Sequence, residues 1–288
     1  MARRSGSLPP VQPNAGIRAE YARRLAMLVG EMHNSVLYWL SAAYKAHEPE
    51  MAQDAVPAVE LRKKIRTLAK RWQKRFDLLG PEVAKLFADG NRARADRVFA
   101  SQLRKNGLAV KFTMTDTMRD VMHATVGENV ALIKSIPQQY FTQLEVAVMQ
   151  SASAGRDLQS LTQAIGDKVD LSRIRMGRKP GESDKSLAAR TQRRTELIAR
   201  DQNNKMTAAF NRVRQVELGI KEAIWMHSSA GKEPRPEHVK WGREQTKYDV
   251  DKGMWSDVAG KYVWPGTEIN CRCTSRSIIP GLSRHKDL

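Results

Sequence analysis

The strongest constraint on the fold is an apolar stripe in the first half of the chain. Its members recur at intervals of three or four residues, a spacing that places them on one face of an α-helix. The stripe consists of Leu61, Ile65, Leu68, Trp72, Phe76 and Leu79. We expect Gly80-Pro81 to end this helix, because proline has no amide hydrogen and clashes with the preceding turn.

The opposite face of the same predicted helix is basic. No acid occurs between Glu60 and Asp77, whereas faces that are merely solvated usually interleave both signs. The basic residues are Arg62, Lys63, Lys64, Arg66, Lys70, Arg71, Lys74 and Arg75. They predict sequence-independent contact with the phosphates of nucleic acid. An acidic groove on a partner protein is the alternative.

Composition supports a polyanionic partner. The formal net charge is +18 and the sequence pI is about 10.1, and most of this excess lies before residue 220. Nucleic acid is the usual partner of such chains, although some proteins are simply basic. We find no run of apolar residues that suits a membrane span or a signal peptide, so we expect a soluble, unsecreted protein without a membrane partner.

Helical periodicity dominates most of the chain. It predicts a helical basic domain over residues 17–180, preceded by a flexible basic arm over residues 1–16. Within this domain Asp116 begins a helix that Pro137 kinks or ends. Beyond the domain, Ser183 caps a later helix that Gly219 stops. Shorter segments follow, with a strand before His227 and hairpins broken by glycines. The predicted fold is therefore a mostly α N-terminal part with a small α+β C-terminal domain over 181–280, followed by a frayed tail over 281–288.

The two cysteines, Cys271 and Cys273, are the only ones in the chain. In an extended segment they share one face, since side chains alternate along a strand. Their Cα atoms then lie about 6.5 Å apart with parallel Cβ vectors, which disfavours a disulfide. One zinc ion could bind both thiols, but a structural zinc ion takes four ligands.

Further metal ligands must come from upstream of the cysteines. His227 and His238 are the candidates, with Asp249, Asp251 or water completing the set. The candidate metal ligands are thus His227, His238, Cys271 and Cys273. The alternative, without a cofactor, is two buried thiols that pack as small apolar groups beside a hydrogen-bonded histidine.

A resemblance rests on the segment around these cysteines. Trp225, Arg235-x-x-His238, Gly253 and Pro265-Gly266 precede the tetrad Asn270-Cys271-Arg272-Cys273. This pattern resembles the C-terminal domain of the phage Mu F-like minor head proteins, also called the phage head morphogenesis family, and the match is strongest over residues 185–280. One departure is Ala199-Arg200-Asp201, where the family tends to carry Ala-Arg-Thr.

The resemblance implies a minor capsid protein that acts at the portal end of a phage head. Its implied roles are head morphogenesis, DNA packaging or genome delivery, and its implied partners are portal and capsid proteins. It would reside in the virion, in the head interior or at the portal vertex, and in the host cytoplasm during assembly.

The motif residues are predicted to contact one another in a cluster whose role is structural. They are Arg235, His238, Asn270, Cys271, Arg272 and Cys273. No phosphate-binding loop, H-E-x-x-H or G-x-S-x-G pattern occurs, so the sequence supports no catalytic signature. The alternative function is a metal-dependent DNA-processing or toxin-like enzyme that uses His238 with Cys271 and Cys273.

Overall fold

The computed structural model describes residues 5–46, 56–153, 158–166, 186–229 and 233–280. The predicted fold class is confirmed, since the structure is mostly helical and its α+β part is small and C-terminal. The helices are α1 (Ala15–Ala46), α2 (Val56–Lys105), α3 (Asp116–Ser153), α4 (Leu158–Ile165), α5 (Leu187–Glu217) and α6 (Pro236–Arg243). The strands are β1 (Ser5–Ser7), β2 (Glu222–Met226), β3 (Lys247–Asp249), β4 (Met254–Ser256), β5 (Lys261–Val263) and β6 (Thr274–Pro280).

Helix α2 does not stop at Gly80-Pro81, so that prediction is wrong. The helix runs for 50 residues with Pro81 inside it. Buried residues such as Phe76 and Val83 lie on both sides of the proline, and their packing outweighs the one hydrogen bond that proline cannot donate. Gly80 allows a close approach, since a Cβ there would lie 3.3 Å from Ile133 of α3.

The starts of three helices follow local sequence signals. The side-chain oxygens of Asn14, Thr115 and Ser186 accept hydrogen bonds of 2.9, 3.2 and 3.2 Å from the amide three residues later, which is the geometry of an N-cap. The cap predicted at Ser183 lies outside the described residues. Gly219 follows α5 with a φ of 68°, in agreement with its predicted role as a stop signal.

The four-stranded antiparallel sheet has the order β1-β6-β2-β3, and β4 pairs with β5 in a separate hairpin. The position of β1 corrects the prediction of a flexible arm over residues 1–16. Leu8 and Val11 are buried, and the Leu8 amide donates to the Ser277 carbonyl at 3.0 Å. Pairing with β6 provides the core contacts that the arm lacks by itself. Residues 1–4 and the predicted tail at 281–288 lie outside the described residues.

The second half of α5 has a buried face that consists largely of polar side chains. Asn204 donates to the carbonyl oxygen of Cys271 at 3.0 Å, and Gln215 donates to the hydroxyls of Ser275 and Ser277 at 2.9 and 2.8 Å. These side chains bond polar groups that would otherwise be buried without partners. The buried polar residues here are Gln202, Asn203, Asn204, Thr207, Asn211, Arg214 and Gln215.

The chain divides into two compact units, each assembled from separate stretches. The sheet unit comprises Met1–Arg18, Leu86–Gly127 and Arg200–Leu288, and the helical unit comprises Ala19–Lys85 and Glu128–Ala199. These units differ from the two consecutive domains expected over 17–180 and 181–280, because the long helices contribute residues to both. The expected boundary itself lies outside the described residues.

Candidate functional site

His238 lies beside both cysteine sulfurs. Its Nδ1 atom is 3.5 Å from Cys271 Sγ and 3.8 Å from Cys273 Sγ. The exposed fractions of His238, Cys271 and Cys273 are 3, 3 and 5%. The structure therefore brings together three of the four residues predicted as metal ligands.

Helix α6 and its aromatic neighbours position the histidine. Pro236 occupies the start of α6, where a missing amide hydrogen costs nothing. The His238 ring stacks on Trp241 with 5.4 Å between ring centroids, and it meets Trp225 of β2 at 4.8 Å. These indoles exclude water from one side of the imidazole and restrict its rotation.

The turn before the cysteines is held by α5. Asn270 has a φ of 59°, a left-handed conformation that non-glycine residues seldom adopt. Its amide donates to Asp201 Oδ1 at 2.5 Å, and its side-chain oxygen accepts from Arg200 at 3.3 Å. Asn270 thus contributes to the motif through its backbone conformation as well as its amide side chain.

A glycine shapes the other end of this loop. The Gly266 amide donates to Cys271 Sγ at 3.3 Å. Its φ is 85°, and a Cβ at this position would lie 3.0 Å from the Ala208 side chain and 3.1 Å from the Cys273 carbonyl oxygen. Only glycine therefore fits, which explains the Pro-Gly pair that precedes the tetrad.

Glu268 lies near the Nε2 atom of His238. Its Oε2 atom is 3.2 Å from His238 Nε2 and 3.2 Å from Arg235 Nε. Within the described part of the chain Nε2 makes no hydrogen bond of acceptable angle, so the carboxylate acts on the ring as a nearby charge. Arg235 also donates to the Ile269 carbonyl at 3.1 Å, so it ties the loop to the start of α6. Arg272, which lies between the two cysteines in the sequence, is partly buried.

The two thiols differ in acidity. A hydrogen bond from Cys273 lowers the pKa of Cys271 to about 4, and the nearby His238 adds to this effect while burial opposes it. The same hydrogen bond, together with burial, raises the pKa of Cys273. This asymmetry favours a thiolate at Cys271, and thiolates are the form of cysteine that binds metals.

The three side chains could hold a metal ion. Each offers one donor atom, and the three donor atoms all lie within 4.8 Å of one another. Two sulfurs and one imidazole nitrogen suit a soft tetrahedral ion, for which a fourth position remains. A carboxylate beside the remote nitrogen of a ligating histidine is a common way of orienting the ring. Glu268 occupies that position.

His227 is not part of this group, so the structure does not support its prediction as a ligand. Its Nδ1 atom accepts a hydrogen bond of 3.2 Å from the Ser229 amide. The aspartates considered for the fourth position are also engaged elsewhere. Asp249 accepts from the Asp251 amide at 2.8 Å, and Asp251 pairs with Lys221 at 3.2 Å.

The predicted basic face of α2 is partly neutralised. Arg62 and Arg66 lie 3.0 and 4.0 Å from Glu145, and Arg75 lies 2.8 Å from Glu31. These acids come from other helices, so local sequence could not reveal them. Lys64 lies over the ring of Trp39, 3.8 Å from its centroid. On this face, the exposed cations for which no acidic partner lies in the described part of the chain are Lys63, Lys70, Arg71 and Lys74.

Comparisons with known proteins leave the family open. No protein-family model matches the chain, and no solved structure matches it. An uncharacterized protein of Haemophilus influenzae is 28% identical over 167 residues, which cover 58% of this chain and 31% of that protein. The matched segment thus spans about a third of the relative's length. None of the described helices is long and apolar enough to cross a bilayer.

Sequence reasoning missed two residues that hold the site together. Asp201 and Asn204 of α5 bond the backbone of Asn270 and Cys271, which lie 69 and 67 residues away. The available signal was the polar middle of α5, because such a helix needs polar partners when it is buried. Their identity could not be read from the sequence.

Proposed function

We propose that this protein is a phage minor head protein that binds nucleic acid through α2 and acts at the portal vertex during head morphogenesis, DNA packaging or genome delivery. The observation that carries the nucleic-acid contact is the set of exposed cations Lys63, Lys70, Arg71 and Lys74 without acidic partners among the described residues. We call this set the α2 basic face. The head role rests on the resemblance of the Asn-Cys-Arg-Cys segment to the Mu F-like proteins.

The α2 basic face suits a phosphate backbone. Lys63 and Lys74 lie about 16 Å apart along the helix axis, given a rise of about 1.5 Å per residue. Charges at this spacing can contact several phosphates without reading bases. Each phosphate contact contributes about 0.9 to the slope of log affinity against log salt.

Binding to a short DNA duplex at several salt concentrations tests this contact. We expect the variant Lys63→Gln/Lys70→Gln/Arg71→Gln/Lys74→Gln to bind at least tenfold more weakly, with a salt slope reduced by about 0.9 for each lost contact. A matched control, Arg104→Gln/Lys111→Gln/Lys247→Gln/Lys261→Gln, removes the same charge from other exposed positions. Equal losses in both variants would mean that net charge alone drives binding.

The head role requires protein partners. We expect the full chain to retain portal protein in a pull-down, before and after nuclease treatment, and the α2 variant to retain it in the absence of DNA. Loss of portal protein on nuclease treatment would reduce the role to DNA tethering. Failure to retain either portal or major capsid protein in both conditions would contradict the assembly role.

We infer that the group formed by His238, Cys271 and Cys273 takes zinc in a structural role. Its burial supports this role, since a buried site stabilises the loop and excludes substrate. The metal would join α6 to the segment before β6, and Glu268 and Arg235 would hold the histidine and the loop in place.

A metal-dependent DNA-processing enzyme is the second candidate. It is favoured by one observation, which is that the three ligands leave a fourth position that water could take. We expect no DNA cleavage by the zinc-loaded protein. Cleavage that is abolished by His238→Ala and by Glu268→Gln would establish the enzyme instead.

A further inference from the structure

A second basic surface lies on the C-terminal half of α2, within the sheet unit. Arg94, Arg97 and Lys105 line a groove of about 460 Å³, and none of its lining residues is acidic. Ser101 and Gln102 lie between them in the same lining. The volume falls within the range of pockets that bind small molecules.

The positive charge of this groove is uncompensated. The nearest acid in sequence is Asp96, and it is engaged by Arg92 at 3.0 Å and by the buried Arg214 at 2.7 Å. Within the described residues no acid lies within ion-pair distance of Arg94 or Arg97. Any anion that entered the groove would therefore meet free guanidinium groups.

Two buried polar atoms of the lining lack partners. Arg94 Nε and Gln102 Oε1 make no hydrogen bond in the described part of the chain. One is a charged donor and the other is an acceptor, and leaving such atoms unpaired is unfavourable. Neither atom is exposed to solvent, so a ligand that satisfied both, with an anionic oxygen and an O–H or N–H group, would bind with a rotation of these two side chains.

We propose that this groove binds the phosphate of a nucleotide, either free or within a nucleic-acid strand. Guanidinium groups match phosphate oxygens in a bidentate manner, and the Ser101 hydroxyl can donate to a third oxygen. A sugar hydroxyl or a base N–H group supplies the donor that Gln102 lacks. The groove is separate from the α2 basic face, so the two assignments can fail independently.

Titration of the full chain with three probes tests the groove. The probes are inorganic phosphate, adenosine 5′-monophosphate and a short single-stranded oligonucleotide. We expect Arg94→Gln/Arg97→Gln to weaken binding of each probe that the wild type binds by about tenfold or more, since a hydrogen bond to a charged group contributes about 1.5–3 kcal/mol. Arg104→Gln/Lys111→Gln removes the same charge outside the lining and should leave binding unchanged.

Further variants separate the ligand sources and guard against misfolding. Gln102→Leu should weaken binding of the nucleotide and leave binding of inorganic phosphate unaffected. Arg94→Lys should give an intermediate loss of binding, because lysine keeps the charge but lacks the bidentate guanidinium. Binding of the monophosphate would identify a free nucleotide as the ligand of the groove. Binding of the oligonucleotide alone would identify a nucleic-acid strand as the ligand. The α2 basic-face variant should still bind the monophosphate. If only the oligonucleotide binds, adding Arg94→Gln/Arg97→Gln to the α2 basic-face variant should still weaken oligonucleotide binding.

Three results would overturn the proposal. The first is that none of the three probes binds, and the second is equal binding by the wild type and the Arg94→Gln/Arg97→Gln variant. The third is tighter binding of a polyglutamate peptide than of any phosphate-containing probe, which would assign the groove to an acidic protein partner.

Discussion

The backbone amide of Asn270 donates a hydrogen bond of 2.5 Å to the carboxylate of Asp201. The bond supplies a hydrogen-bond acceptor from α5 to the left-handed turn before the cysteines. A threonine hydroxyl at position 201 could accept the same bond.

Replacement of Asp201 tests this relationship. We expect Asp201→Ala to lower the free energy of unfolding by about 1 kcal/mol, because it removes a hydrogen bond to the backbone amide of the exposed Asn270. Asp201→Thr should recover most of the loss. Lys205 also pairs with Asp201 at 3.3 Å, and Lys205→Gln should cost no more than about 1 kcal/mol. Urea denaturation followed by tryptophan fluorescence measures all three, and equal losses for Ala and Thr would contradict the acceptor role.

Metal analysis of the purified protein tests the cluster of His238, Cys271 and Cys273. We expect one zinc ion per chain, absent from His238→Ala and retained by His227→Ala. Removal of zinc with a chelator should lower the melting temperature by roughly 10 °C, since binding at a thousandfold excess over Kd contributes about 4 kcal/mol. Retention of zinc by His238→Ala would exclude the histidine as a ligand.

The metal-free protein should contain a thiolate at mildly acidic pH. Cys271 has its pKa lowered to about 4 by the Cys273 hydrogen bond against the effect of burial, with His238 adding to it, while an unfolded cysteine titrates near 8.5. Ionisation of Cys271 therefore stabilises the fold fully above about pH 8.5. This contribution is lost as the pH falls toward the folded pKa.

Thiolate absorbance in the ultraviolet, followed against pH, measures this titration. Cys271→Ser should abolish the low-pH step, whereas Cys273→Ser should largely preserve it because the serine hydroxyl can donate the same hydrogen bond. Because the pKa of Cys273 is raised in the folded protein, stability should decline at pH values above the unfolded pKa. A single step near 8.5 in the folded wild type would contradict the thiolate.

Pro81 offers a test of the continuous helix α2. Its side chain is exposed, so Pro81→Ala should raise the free energy of unfolding by about 1–3 kcal/mol by restoring a helical hydrogen bond. Pro137 is also inside a helix but is buried, and Pro137→Ala should gain less because it loses packing. Thermal unfolding compares the two variants, and destabilisation by Pro81→Ala would indicate that the proline is needed at that position.

The fold class was accessible from sequence because helical periodicity and local end signals act within a few residues. Asp116 begins α3 as predicted, and Gly219 follows α5 with the positive φ expected of a stop. The same local reasoning failed at Pro81, where the packing of distant residues outweighs a helix-breaking preference. It also failed for residues 5–14, because strand β1 gains its partners only from β6.

Sequence by itself determined the helical character of the chain, its excess of positive charge, and the pair of thiols with His238 as a candidate partner. These properties depend on residue type and short-range spacing. Tertiary structure alone decided that Glu31 and Glu145 would neutralise part of the basic stripe, that Asp201 would hold Asn270, and that His227 would stand apart from the sulfurs. Each of these outcomes depends on contacts between residues far apart in the chain, and such contacts are set by how whole helices pack.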